Sequence, residues 1–146
     1  MTDLATAPSA AETRSLPPWH GDFIWYELMT SDQDAAIRFY QAVVGWTAAD
    51  QTMADLDFRY TLLSAGERPV AGLMQLNAEM CESGAEPGWI GVIGVADTDE
   101  AVKRLVAEGG GQLRAPDDIP NVGRFAVVAD PGGAVFELMT PVPQGD

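Results

Sequence analysis

Asp130-Pro131-Gly132-Gly133-Ala134-Val135-Phe136-Glu137-Leu138-Met139-Thr140 combines a turn, a strand and one misplaced charge. Pro131 presets φ and the two glycines are free to take φ > 0, so the first four residues make a tight turn. Side chains of the strand that follows alternate between faces. Ala134, Phe136 and Leu138 therefore share one face, and Val135, Glu137 and Met139 the other. Glu137 interrupts an apolar row. A carboxylate there is costly unless it is paired, hydrogen-bonded, metal-bound or protonated, or unless the row lines a wet cavity.

The stretch closes a pattern that occurs twice. Asp32, Ala36, Gly45, Arg59, Val70, Leu73 and Met74 each recur sixty-five positions later as Asp97, Ala101, Gly110, Arg124, Val135, Leu138 and Met139. The order of elements recurs with them. Phe23 to Met29 reads as a strand, with Ile24, Tyr26 and Leu28 on one face and Phe23, Trp25, Glu27 and Met29 on the other, so Glu27 is a second carboxylate out of place. Ser31 or Asp32 caps a helix with Ala36, Ile37, Tyr40, Val43 and Val44 at helical spacing and Gly45 as its stop. Strands follow from about Trp46, at Phe58 to Ser64 and at Val70 to Leu76, with 65–69 as the turn between the last two. In the second half Asp97 and Glu100 resemble a capping box, and Gly109-Gly110-Gly111 ends the helix. Each half reads as a βαβββ unit of about sixty residues. One unit cannot bury both faces of its sheet alone, so the halves pack together or against a partner chain.

Composition bounds the rest. A chain of 146 residues, 47% hydrophobic, suits one domain with a real core. The boundaries expected are a disordered or strapping arm over 1–19, then one domain over 20–146: module one at about 20–76, a polar connection at 77–88 and module two at about 89–141. Twenty-two acidic against eight basic residues give a net charge of −14, which argues against nucleic acid and anionic membrane as partners. The single Cys81 excludes an internal disulfide and a cysteine zinc cluster; it falls in a polar loop beside Glu79 and Glu82, whose charge disfavours a thiolate. With no long apolar run and no basic-then-hydrophobic N-terminus, a cytoplasmic protein is expected.

Two βαβββ modules, Phe39-Tyr40 and Gly45-Trp46 after Asp32, and the Asp130 turn leading into Glu137 resemble the vicinal oxygen chelate superfamily of glyoxalase I, extradiol dioxygenases, fosfomycin-resistance enzymes and bleomycin-binding proteins. The resemblance covers about residues 20 to 141. Phe23 to Leu28, Gly88-Trp89 and Gly123-Arg124 look similar to a glyoxalase-like subgroup whose chains often carry two such domains, where one is expected here. The resemblance implies an α+β fold in which two tandem modules form a half-open, eight-stranded, barrel-like sheet around a cavity. In metal-binding members four side chains, from the first and last strand of each module, converge there. The matching positions are Trp25, Gly72, Ile90 and Glu137, and they offer one N–H donor and one carboxylate where a divalent metal needs three or four donors. No metal and no other cofactor is therefore expected. Glu27 would be a displaced second ligand at most, and His20 reads as a surface residue.

The implied cavity face carries Trp25, Glu27, Met29, Val70, Met74, Ile90, Val92, Val135, Glu137 and Met139, a mostly apolar hollow for a small apolar or aromatic organic molecule. Glu137 and Glu27 are the catalytic candidates, an acid/base pair with pKa values raised by burial and by each other; Trp25, Met29, Met74, Ile90, Val92, Val135 and Met139 are the ligand-binding candidates. The blander reading has Glu137 accepting from Trp25 or from backbone amides. Arg59 and Arg124 read as ties between strand and turn, Tyr26 and Tyr60 as helix-facing core, and Trp46 and Trp89 as packing. Three functions follow: a metal-independent lyase-, isomerase- or hydrolase-type enzyme; a non-catalytic protein that sequesters a drug or metabolite; and a metal-dependent lyase or dioxygenase with displaced ligands. A homodimer is the family habit, although pairing of modules within one chain leaves a monomer open.

Overall fold

A computed structural model describes residues 16–51 and 58–143. Module one runs β1 (Phe23–Thr30), α1 (Gln33–Val44), β2 (Thr47–Asp50), β3 (Tyr60–Ala65) and β4 (Arg68–Gln75). A short helix α2 (Ala78–Glu82) lies in the connection. Module two runs β5 (Gly88–Gly94), α3 (Thr98–Ala107), β6 (Gly111–Ile119), β7 (Gly123–Ala129) and β8 (Val135–Pro141). All eight strands form one sheet in the order β2-β3-β4-β1-β5-β8-β7-β6. The modules meet at an antiparallel β1–β5 pair, and β1–β4 and β5–β8 are parallel. The α+β class and the repeat expected from the sequence are both present.

The repeat extends to the bonds that hold each module. Asp32 and Asp97 cap α1 and α3 by accepting from the amides of Ala35 and Glu100. Gln33 donates to the Arg59 carbonyl at 2.7 Å, and Thr98, its counterpart, donates to the Arg124 carbonyl at 2.9 Å. Arg59 pairs with Asp34, and Arg124 with Asp99. The arginines thus tie a strand start to the first turn of a helix. Gly45 stops α1 in the left-handed region at φ 73°. In the Asp130 turn the side chain accepts from the amides of Gly132 and Ala134, and Gly133 takes φ 95°.

Both long helices cover one face of the sheet. Ala36, Ile37 and Tyr40 of α1 pack on Leu28, Leu63, Ala71 and Leu73, and Val102 of α3 on Ala126, Val128 and Leu138. The opposite face holds the larger core, with Met29, Phe58, Met74, Ile90, Val92, Phe125, Val127 and Met139 in one cluster. Phe58 and Phe125 meet there at 6.2 Å between ring centroids. In a flat sheet, β3 and β7 would stand about 24 Å apart at about 4.8 Å per strand step. The sheet is therefore strongly curled, and this face is its inside.

Several expectations need correction. Val43 and Val44 are exposed, so the buried stripe of α1 ends at Tyr40. The turn of 65–69 narrows to Gly66 and Glu67, since Ala65 already pairs with Arg68. Cys81 lies in α2 rather than in a loop, and Met80 beside it is fully buried. Of the arm expected over 1–19, residues 16–19 are described, and Trp19 lies against Gly94; just beyond it, exposed His20 accepts at Nδ1 from the Ala96 amide at 3.0 Å. The rest of the arm lies outside the described residues. No helix among the described residues is long and apolar enough to cross a membrane.

Candidate functional site: a carboxyl, phenol and indole cluster

Two bulges decide which side chains reach the inside. On β1, Phe23 pairs with Ile93 and Trp25 with Val92, which leaves Ile24 as an extra residue. Ile24 then joins Trp25 on the inner face, while Phe23 turns out and is 63% exposed. On β3 and β4 the register shifts between Leu63 and Ser64, and Val70 is the extra residue. Val70 consequently packs on the helix side with Ala71, not in the cavity as the alternation implies. The same shift places Tyr60 opposite Met74, whereas the unshifted hairpin would set it opposite Leu73. Tyr60 is thus an inner-face residue. Tyr26 is not core either, being 53% exposed.

The inside contains a cavity of about 310 Å³ lined by Ile24, Trp25, Glu27, Gln51, Tyr60, Leu62, Ile119, Val122, Met139 and Pro141. No Lys, Arg or His lines it among the described residues. Trp25, Glu27 and Met139 are at its wall as the sequence suggests. Met29, Met74, Ile90, Val92 and Val135 pack in the adjoining core, outside the lining. The sequence reading did not include Ile24, Gln51, Leu62, Ile119, Val122 and Pro141.

Glu27 is 1% exposed and faces its β4 neighbour Gly72 across the ladder. Tyr60 donates its hydroxyl hydrogen to Glu27 Oε2 at 3.1 Å, and the Trp25 indole N–H donates to Tyr60 Oη at 3.2 Å. A Cβ on Gly72 would collide with both the Glu27 carboxyl and the Tyr60 hydroxyl. The space its side chain would fill is taken by a carboxyl from the next strand and a phenol from the strand beyond. Burial pushes Glu27 up to about 8, against weaker lowering by Tyr60, Trp25 and the Gly72 amide. Burial also holds Tyr60 well above the ordinary phenol range, with the Glu27 charge adding to it.

Glu137, paired with Val92 on β5 and Val127 on β7, is fully buried. Neither of its oxygens has a hydrogen-bond partner among the described residues. It accepts neither from Trp25, whose N–H goes to Tyr60, nor from backbone amides. Burial raises its pKa well above the usual carboxylate range, Glu27 raises it further, and Arg114 opposes them. Arg114 itself lies over the rings of Phe58 and Phe125, at 5.0 and 5.4 Å. A buried carboxyl without donors is costly as an anion, so burial favours its neutral form.

The chain is matched over residues 23–138 by the model of the Glyoxalase/Bleomycin resistance protein/Dioxygenase superfamily. It belongs to that superfamily. Among relatives, CFP32 of Mycobacterium tuberculosis, a protein designated a glyoxylase, is 40% identical over 124 residues, 85% of this chain and 46% of the relative. The anthracycline biosynthesis protein DnrV of Streptomyces peucetius is 33% identical over 129 residues, 88% of this chain and 44% of the relative. The chain thus spans less than half the length of these relatives. Among solved structures, methylmalonyl-CoA epimerase from Mycobacterium tuberculosis superimposes with a TM-score of 0.53 at 22% identity, covering 81% of this chain and 86% of that one, a likeness of fold alone.

A metal is implied by the superfamily, and the residues present do not fit one. Of the four positions that the resemblance marks for ligands, Trp25 offers only an N–H donor, which goes to Tyr60, Gly72 has no side chain and its space is taken by Glu27 and Tyr60, Ile90 is apolar, and Glu137 alone brings a carboxyl. No three His, Cys, Asp or Glu side chains come together among the described residues. Two carboxyls without an imidazole or thiolate are a poor donor set for a transition metal.

Proposed function

We propose that this glyoxalase-like domain binds a small, largely apolar organic molecule, flat and aromatic in character, without a metal, and that Glu27 exchanges a proton with it. The observation that carries the reading is Glu27 itself, a buried carboxyl at the wall of a mostly apolar cavity. With its pKa near 8, Glu27 is largely protonated at neutral pH but readily loses its proton, which suits it to work as an acid and as a base. Glu137, buried outside the cavity lining, is the second carboxyl, and a charge on Glu27 opposes its ionisation. The chemistry that fits is lyase-, isomerase- or hydrolase-type proton transfer at an acidic C–H or at a hydroxyl. Kinship with DnrV, a protein of anthracycline biosynthesis, favours a flat aromatic ligand.

Sequestration without turnover is the second reading, favoured by the predominance of apolar side chains at the wall. A thermal-shift screen of flat apolar compounds, followed by product analysis, separates the two. Conversion that survives both Glu27→Gln and Glu137→Gln removes the acid/base assignment, and binding with no product supports sequestration. A stoichiometric metal whose loss abolishes conversion would overturn the metal-free reading. A reducing, cytoplasmic setting suits the exposed free thiol of Cys81. The exposed Phe23, Tyr26 and Trp89 support a homodimer.

A further inference from the structure

The Trp25, Tyr60 and Glu27 contacts have a direction. An indole N–H only donates, so Trp25 must occupy a lone pair of Tyr60 Oη. The hydroxyl hydrogen of Tyr60 points instead at Glu27 Oε2. This chain is built only because β4 carries glycine at 72, where any Cβ would displace both polar groups, and because the bulge at Leu63/Ser64 turns Tyr60 inward. Tyr60 is also gripped by its ring, edge-on to Phe58 at 6.5 Å. The phenol therefore holds one oxygen of Glu27 in a fixed direction at the cavity wall. The wall has no cationic side chain among the described residues, and the chain as a whole carries −14. An anionic group placed there would meet a carboxyl and no counter-charge.

Building on the proton-exchange reading, we propose that Tyr60, oriented by Trp25, is the positioning residue for Glu27, and that the site takes neutral hydrogen-bonding aromatics such as phenols and excludes their carboxylate counterparts. Tyr60 acts through Glu27, so its removal leaves the cavity formed and the carboxyl misdirected.

The test needs no turnover, which keeps its failure separate from failure of the catalytic reading. The infrared carboxyl band of Glu27 is isolated in the apo protein as the difference from Glu27→Gln, and 4-nitrophenol and 4-nitrobenzoate at pH 6 serve as neutral and anionic probes of similar size. Tyr60→Phe keeps the ring and loses the hydroxyl. It should move the Glu27 band to higher wavenumber and weaken 4-nitrophenol at least fivefold, with the near-ultraviolet dichroism retained. Trp25→Phe, in which Tyr60 is present but unoriented, should give a smaller shift in the same sense. In the wild type, 4-nitrophenol should bind at least tenfold more tightly than 4-nitrobenzoate. An unmoved band and unchanged affinity in both variants overturn the positioning role. Equal or tighter binding of 4-nitrobenzoate, or no binding of 4-nitrophenol, overturns the ligand class.

Discussion

Gly72 stands opposite Glu27 on the β1–β4 ladder, and the volume its side chain would occupy is filled by the Glu27 carboxyl and the Tyr60 hydroxyl. Gly72 is thus the position on which the candidate site rests, because no rotamer of a larger residue avoids the first atom it adds. Gly72→Ala should expel the carboxyl or the phenol from contact and cost about 1–3 kcal/mol, the usual range for overpacking. Urea unfolding measures the loss, and disappearance of ligand binding alongside it would tie the glycine to the site. A variant of wild-type stability with unaltered binding would contradict the crowding.

The raised pKa of Glu27 sets the sign of a pH effect on stability. The folded protein keeps the proton until about pH 8, whereas an unfolded chain releases it near 4.5. Between those values the folded state binds more protons, so stability is highest below the unfolded value and is lost as pH rises through the folded one. Each fully developed group contributes a slope of about 1.4 kcal/mol per pH unit. Glu137, shifted in the same direction, adds to it. Melting temperature should therefore fall from pH 5 to pH 8, and Glu27→Gln should flatten the fall. A rise over that window would mean that the carboxyls are ionised in the folded protein.

Most of the fold was readable because its signals are local and doubled. Asp32 and Asp97 as caps, Gly45 as a stop and the Asp130 turn depend on a few adjacent residues, and the recurrence of Arg59 as Arg124 shows the second copy agreeing with the first. Glu27 and Glu137 were readable for a related reason, as carboxylates on apolar rows of regular strands. Tyr60, Ile24 and Val70 were misplaced because strict alternation fails at a bulge, and one extra residue reverses every face beyond it. Gln51, Ile119 and Val122 reach the cavity through curling of the sheet, which no periodicity encodes.

The doubled arginines invite a comparison within one molecule. Among the described residues, Arg124 makes two hydrogen bonds to Asp99, at 2.7 and 3.1 Å, and a third to Asp118 at 3.1 Å, whereas Arg59 makes one to Asp34 at 3.0 Å. The bidentate geometry fixes both partners, and its hydrogen bonds hold the Asp99 pKa below the usual carboxylate range. Arg124→Ala should lower the melting temperature more than Arg59→Ala, and Arg124→Lys should recover only part of the difference, since an ammonium lacks the fork. Because these pairs are near the surface, half-molar salt should narrow the gap. Equal effects of the two alanine variants would mean that geometry contributes nothing beyond charge.

On the outer face, between the two helices, the central β1–β5 pair bears Phe23, Tyr26 and Trp89, which are 63%, 53% and 42% exposed. Phe23 stacks on Tyr26 at 6.4 Å, and its ring lies over Gly91, while Trp89 donates to Tyr40 at 2.9 Å and meets Trp46 at 5.8 Å. The aromatics are thus braced from below and open above. An apolar band of this kind on so acidic a chain fits a partner recognised by contact area rather than by opposite charge, and a second copy offers such a band. Sedimentation velocity at micromolar concentration should therefore show a dimer that Tyr26→Lys weakens at least tenfold, since a lysine at an exposed position leaves the fold intact, removes the apolar ring from the contact and brings a charge that association would desolvate. A monomer across the whole concentration range would remove the dimer and leave the band as solvent-facing surface.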